Sequence, residues 1–446
     1  MSTNETSSEK LTSLEKKWVM YDVGNSAWVL FASTIIPIYF DSLSSGSATG
    51  FATSLWGAVS SIVALIALII CPIFGTMADY SGKRKFFFLF ALIGICGCAV
   101  LSLPVWSALL FAIIYIITEA SLSSSCVFYD SMISDVTSED RMHKVSANGY
   151  AWGYIGSCVP FLLCLLLVLV VPDSVMKMQF RMTLSFLLTA VWWLCFTLPL
   201  FNSYKQKNFM PKPDRPIRGT FKRLGEIYKE IKTNKKAFVF LLAFFFYING
   251  TSTIIKMATV YGQDMLGFDT TQLLLALLVT QIVAFPSAII LGRLSKKFED
   301  KYLIFTCIGG YIAVSIFALF LKAEWQFWIL AVVVGMFQGG IQAMSRSYFT
   351  SIIPAEKSGE YFGIYDIFGK GAGCLGPALV SGCVILVQKL SQAFPSFASI
   401  TTIMNLDLLP IPLLTIAGFI VFYFAAKLPL AKEAIRTKKE NENVEE

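Results

Sequence analysis

"WVMYDVGNSAWVLFASTIIPIYF", residues 18 to 40, is apolar over a length that crosses a bilayer, yet its first third holds Asp22, Asn25 and Ser26. A spanning helix needs roughly 20 mostly apolar residues, and such a run recurs until the 446-residue chain holds twelve of them. The chain is 56% hydrophobic and 15% charged, with a mean hydropathy of +0.66. That balance leaves too little polar surface for a soluble globule of this length. The expected fold is an all-α integral membrane protein of twelve transmembrane helices. The first seventeen residues are polar and the first apolar run is already a full span, so no cleavable signal peptide is expected.

Lys and Arg set the expected orientation. Placing the N-terminus in the cytoplasm puts 29 of the 33 basic residues outside the spans on the inner side, as the positive-inside bias requires. Both termini are then cytoplasmic, and the formal charge of +7 is a topology signal and not a nucleic-acid footprint. The ten cysteines fall in apolar runs without metal-ligand spacing and read as small buried hydrophobes. The single histidine, His143, sits in a short loop with no thiol or carboxylate cluster around it, which excludes a metal centre as an expectation. No cofactor is expected.

Residues 202 to 236 carry three prolines and eleven basic residues and divide the spans six and six. The expected domains are a tail over residues 1–17, a six-helix half over 18–201, the basic linker over 202–236, a second half over 237–427 and a tail over 428–446. Residues 220 to 232 of the linker have apolar positions at helical spacing, as a helix lying on the inner leaflet or a solvated linker helix would. "YDVGNS" from Tyr21 and "YINGTS" from Tyr247 share a Y-x-x-G-x-S pattern, "GTMADYSGKRK" and "GRLSKKFEDKY" follow the second and eighth spans, and "YDSMISD" and "FTSIIPA" end the fourth and tenth. The order and near-constant offset of these echoes argue for an internal duplication.

Polar residues inside the spans lie in stripes. Asp22, Asn25 and Ser26 share a face of the first span; Glu119, Ser123, Cys126 and Asp130 of the fourth; Asn249, Ser252, Thr253 and Lys256 of the seventh; and Gln338, Gln342, Ser345 and Arg346 of the tenth. Ionisable groups in a bilayer are costly and face a bundle interior or a watery cavity, so four striped helices are expected to line one. The alternative for any single residue is helix gluing by hydrogen bonds. Asp22, Asp130 and Arg346 lie near the cytoplasmic ends of their spans and read as inner-mouth charges, with Asp366. Glu119 and Lys370 lie near the midplane. Lys370 has Asp366 one turn before it, whereas Glu119 has no partner on its own helix and is the candidate for a titrating, proton-coupling group. The cavity candidates are thus Asn25, Ser26, Glu119, Ser123, Asn249, Ser252, Thr253, Lys256, Gln338, Gln342 and Lys370.

"GTMADYSGKRK" resembles the loop motif of the major facilitator superfamily, with Gly75, Asp79, Gly82, Arg84 and Lys85 in the motif positions. Gly82 permits a tight turn, the cations Lys83, Arg84 and Lys85 hold it in the cytoplasm, and Asp79 can pair across the inner mouth or meet the start of the eleventh helix. The resemblance implies that this contact closes the inside. The second half has Lys296 at the acidic position, so the lock is one-sided. "YDVGNSAW", "FYDSMISD", "VSANGYAWGYIG", "GGIQAMSRSYFTSIIP" and "YFGIYDIFGKGAGCLGP" resemble the branch that holds bacterial permeases and the autophagy-linked vacuolar amino-acid effluxers of fungi. One departure is Asn249, where an acidic residue is expected in that branch.

The function expected is secondary active transport of a small polar solute, an amino acid or related metabolite by the resemblance, through alternating access, with a proton as the partner if transport is coupled. A lipid-handling or receptor-like protein on the same fold is the alternative. An enzyme is not expected: "GIYDIFGKGAG" from Gly363 has the wrong spacing for a phosphate loop and lies in a span, and neither H-E-x-x-H nor G-x-S-x-G occurs. The bilayer is the expected surrounding, the cell membrane the expected location and a monomer the expected state.

Overall fold

The computed structural model describes residues 10–43, 51–103, 107–211, 226, 234–394 and 404–429. The side chain of Lys370, the expected linker helix over 220–232 apart from Glu226, and residues 1–9 and 430–446 of the outer tails lie outside the described residues, and the first helix begins at Ser13, inside the stretch expected as a tail. Among the described residues twelve long helices follow one another: α1 Ser13–Leu43, α2 Phe51–Ala78, α3 Lys83–Leu101, α4 Ala108–Ser131, α5 Met142–Leu165, α6 Met178–Ser203, α7 Lys235–Leu266, α8 Thr270–Leu294, α9 Asp300–Ala318, α10 Glu324–Ser351, α11 Ser358–Ala393 and α12 Pro410–Lys427. All twelve are long and apolar enough to cross a membrane. Many large apolar side chains stay exposed, among them Leu65, Ile69, Leu109, Leu413 and Phe424, as a lipid-facing surface requires. Twelve crossings return the chain to its starting side. We call this the terminal face; it also carries the α2–α3 turn.

The halves repeat one another in their contacts. Tyr21 on α1 shares a hydrogen bond of 2.7 Å with Ser125 on α4, and Tyr247 on α7 shares one of 2.7 Å with Ser345 on α10. Gly24 lets α1 approach Trp193 and Phe196 on α6, and Gly250 lets α7 approach Ile411 and Thr415 on α12. The Y-x-x-G-x-S echo is therefore a repeated packing unit, its tyrosine tying the first helix of each half to the fourth and its glycine admitting the sixth. Interfaces in lipid favour such small residues because backbones must come close for dispersion and hydrogen bonding to act.

Local capping fixes the first helix. Thr12 and Glu15 cap each other reciprocally, and Glu15 also accepts from Thr137 and from Arg141 Nε and Nη2, which pins the start of α1 to the α4–α5 connection. Gly82 turns the chain between α2 and α3 at φ 112°, in the left-handed region open to glycine. Lys83 departs from the expectation for that turn. It is fully buried, its Nζ 3.7 Å from Asp135 and donating to the Ser131 carbonyl. Asp135 in turn accepts from Tyr204, from the Lys207 and Asn208 backbone N–H groups and from Asn208 Nδ2, so the first residues after α6 are strapped under the turn.

Candidate functional site

A cavity of about 350 Å3 lies between the halves, lined by α1, α4, α5, α7, α8 and α10. Its end nearer the terminal face is built around Arg346, which α10 carries into the N-terminal half. Nη1 donates to Asp130 at 3.0 Å, Nη2 to Asp22 at 3.4 Å and to the Ser146 carbonyl at 3.1 Å, and Nε to the Ser146 hydroxyl at 3.0 Å. The guanidinium also lies over the rings of Trp18, Tyr129 and Tyr150, 4.2 Å from the last. Tyr129 donates to Asp22 at 2.7 Å. A buried charge is tolerated when it is paired and its donors are satisfied, and every nitrogen of this guanidinium has a partner. Room for it comes from Gly149, where a Cβ would stand 2.5 Å from Asp22 Oδ2 and 2.9 Å from Arg346 Nη2.

Above this cluster polar side chains line the cavity among apolar ones, and they are less fully bonded. Asn25, Ser26 and Ser33 line it from α1, Tyr150 and Tyr154 from α5, Gln281 from α8, and Gln338 and Gln342 from α10. Tyr154 donates across the halves to Gln342 Oε1 at 2.6 Å. Gln281 Oε1 and Gln338 Oε1 are buried without a hydrogen-bond partner, a costly state for an acceptor that a bound donor would relieve.

Other residues singled out from the sequence lie elsewhere. Glu119 accepts from Trp28 Nε1 at 2.7 Å within the N-terminal half and is not among the lining residues; against the expectation, it also has a hydrogen-bond partner on its own helix, Tyr115 one turn before it. Ser123 is buried on α4 away from the lining. The α7 stripe turns toward α11 at two of its four positions: a Cβ on Gly376 would meet Thr253 Oγ1 and Asn249 Oδ1. Ser252 is half-buried and Lys256 exposed, and neither lines the cavity, where α7 supplies Ile255. Asp366 lies on α11 close enough to act electrostatically on Asp130. Conversely, Tyr129, Tyr150, Tyr154 and Gln281 escaped the sequence reading. Tyrosine in an apolar helix reads as core, though the four-residue spacing of Tyr150 and Tyr154 marks one helical face.

The terminal face is shut beneath the cavity. Asp79, fully buried, accepts the N–H groups of Gly359 and Glu360 at 2.7 Å each, at the N-terminus of α11. Burial pushes its carboxyl up to about 7, against the opposing pull of Lys83 and those two N–H groups. Gly75 touches α11 backbone to backbone, since a Cβ there would stand 2.4 Å from Gly359 O and 2.8 Å from Gly363 Cα. Arg84 lies 4.5 Å over the Phe201 ring. His143 is in the first turn of α5 and not in a loop; it bridges the halves through Ser347 and Asp300, at 2.7 and 2.8 Å. Ser358 donates to the Ser131 carbonyl, and Ser146 to that of Ala343.

A family model described as "Vacuole effluxer Atg22 like" matches residues 50–417. An uncharacterized MFS-type transporter of Bacillus subtilis, YxiO, is 39% identical over 392 residues, covering 86% of this chain and 91% of its own. Autophagy-related protein 22-1 of Aspergillus niger is 25% identical over 294 residues, 61% of this chain and 46% of its own; the chain spans about half the length of such fungal relatives. Among solved structures, the E. coli fucose:proton symporter FucP superposes with a TM-score of 0.65 at 14% identity, covering 93% of this chain and 98% of its own. The proton:xylose symporter XylE gives 0.67 at 13% identity, over 92% and 94%. The fold is that of the major facilitator superfamily, and the chain belongs to the Atg22-like family of transporters.

Proposed function

We propose that this protein is a secondary transporter of the cell membrane, with both termini cytoplasmic, that carries a small zwitterionic solute of the amino-acid class by alternating access of its two halves. The observation that supports this most is the charge count at the closed end of the cavity. Asp22 and Asp130 share the single guanidinium of Arg346, so the group of three is one positive charge short among the described residues. A solute ammonium supplies that charge, and a solute carboxylate has the same guanidinium to compete for. The two unpartnered oxygens of Gln281 and Gln338 accept from the ammonium, and about 350 Å3 suits an amino acid better than a lipid.

Because the two carboxylates come from the N-terminal half and the cation from the C-terminal half, a ligand that inserts between them weakens the contact that holds the terminal face shut. A proton delivered to Asp22 or Asp130 does the same, which gives coupling a place in the mechanism. The Lys and Arg asymmetry supports the orientation. The test is uptake by purified protein in liposomes, screened over labelled amino acids with and without a pH gradient. Saturable uptake of an amino acid is expected. Folded protein that moves none of them, and instead scrambles labelled phospholipid, replaces this reading with the lipid-handling one.

A further inference from the structure

On the terminal face a second cavity, of about 790 Å3, opens between α5 of one half and α8 of the other. Among the described residues its lining holds four cations, Lys144 from α5 and Arg293, Lys296 and Lys297 from the end of α8, and no carboxylate. Four like charges around one space repel one another and call for an anion. The cavity shares Leu11 and Trp152 with a neighbouring groove of about 570 Å3, whose walls are α1, α5 and α6 and whose lining is apolar except for Lys16. Trp152 is 46% exposed at the junction, its ring edge-on to Phe285. On α5 the groove is lined from Trp152 to Val159, roughly 10 Å at the helical rise, and its far end lies roughly 25 Å along the axis from the helix's first residue, so it enters the hydrocarbon layer while the cations stay at headgroup level.

A basic pocket at the membrane surface joined to an apolar groove inside it has the two chemistries of one molecule. We propose that an anionic phospholipid binds here, its phosphate among Lys144, Arg293, Lys296 and Lys297 and one acyl chain along the groove past Trp152. A soluble anion has no use for the groove, and a zwitterionic lipid brings its own cation to a space that already holds four. The lipid is a ligand and not cargo. It draws cations from both halves toward one phosphate, beside the His143–Asp300 bridge, and so favours the closed terminal face. The proposal stands apart from the identity of the solute.

The test uses the full-length purified protein in detergent, with its melting temperature followed as phosphatidylglycerol, phosphatidylcholine or inorganic phosphate is added. Phosphatidylglycerol alone is expected to raise it. Each cation removed is expected to weaken the effect roughly fivefold, and the combined substitution K144Q, R293Q, K296Q and K297Q to abolish it. Equal shifts from the two lipids, an unchanged response in the fourfold variant, or phosphate reproducing the effect of the anionic lipid overturns the proposal. If the fourfold variant does not fold, fluorescence decides. Phosphatidylglycerol with a brominated acyl chain should quench wild-type emission more than that of W152F, and more than brominated phosphatidylcholine does. Quenching that is the same for both lipids, or for both proteins, overturns it equally.

Discussion

Replacing Arg346 by Gln keeps a hydrogen-bonding side chain and removes the charge. Two carboxylates, Asp22 and Asp130, and the Ser146 carbonyl then lose their common donor in a cavity where Arg346 is 2% exposed. Breaking a buried ion pair by deleting one partner costs about 3–5 kcal/mol. Because the partners sit in different halves, that cost falls on the closed terminal face and not on the packing within either half. A loss of about 3 kcal/mol already lowers the closed-to-open ratio on the order of a hundredfold. The readout is maleimide labelling at Ser358→Cys: Ser358 is fully buried under the closed face and donates to Ser131 across the halves. With native cysteines subtracted in a parallel sample, the labelling rate should rise by one to two orders of magnitude in R346Q. Adding Asp130→Asn, which removes one of the two stranded charges, should return part of the change. A folded R346Q protein that labels at the wild-type rate would refute the assignment of Arg346 as the clamp between halves.

Gly75→Ala places a methyl 2.4 Å from the Gly359 carbonyl; overpacking of this kind costs about 1–3 kcal/mol, so the same label should react faster while expression holds. Asp79 predicts a pH dependence. Its carboxyl is raised to about 7 while buried and returns toward its ordinary value when the face opens and water reaches it. The closed state therefore binds the extra proton and is most favoured below that ordinary value, and it loses ground as pH rises to about 7. Labelling at Ser358→Cys, divided by the rate of a free thiol at each pH, should accelerate more over that range in the wild type than in Asp79→Asn, and matching profiles would reject the role. Glu119→Gln should keep gradient-driven transport, because Glu119 is tied to Trp28 outside the cavity lining, whereas Asp22→Asn should lose its dependence on the gradient. The reverse pattern would restore Glu119 as the coupling group.

The membrane architecture was legible because hydropathy records a helix's surroundings directly, and the glycine and tyrosine of the Y-x-x-G-x-S echo recorded the repeat. The site was legible in part. The stripes of α1 and α10 do face the cavity, since Asn25, Ser26, Gln338 and Gln342 all line it. The stripe of α7 has the same periodicity, yet Asn249 and Thr253 pack toward Gly376 on α11; periodicity identifies a face and not what that face meets. Lys83 read as a surface cation among three, and nothing near it in sequence announces Asp135, its partner 52 positions on. Arg346 and Asp22 read as separate mouth charges because a pair 324 residues apart has no local signature.

The most direct measurement is amino-acid counterflow in liposomes, comparing the wild type with the double variant Gln281→Leu and Gln338→Leu. Those two oxygens are buried and unpartnered in the cavity wall, so a solute bound there is expected to use them at about 1 kcal/mol each. The wild type should then accumulate label and the variant should need roughly thirtyfold more solute for the same signal. Equal counterflow at equal solute in two folded proteins would place the transported solute outside the Arg346 cavity.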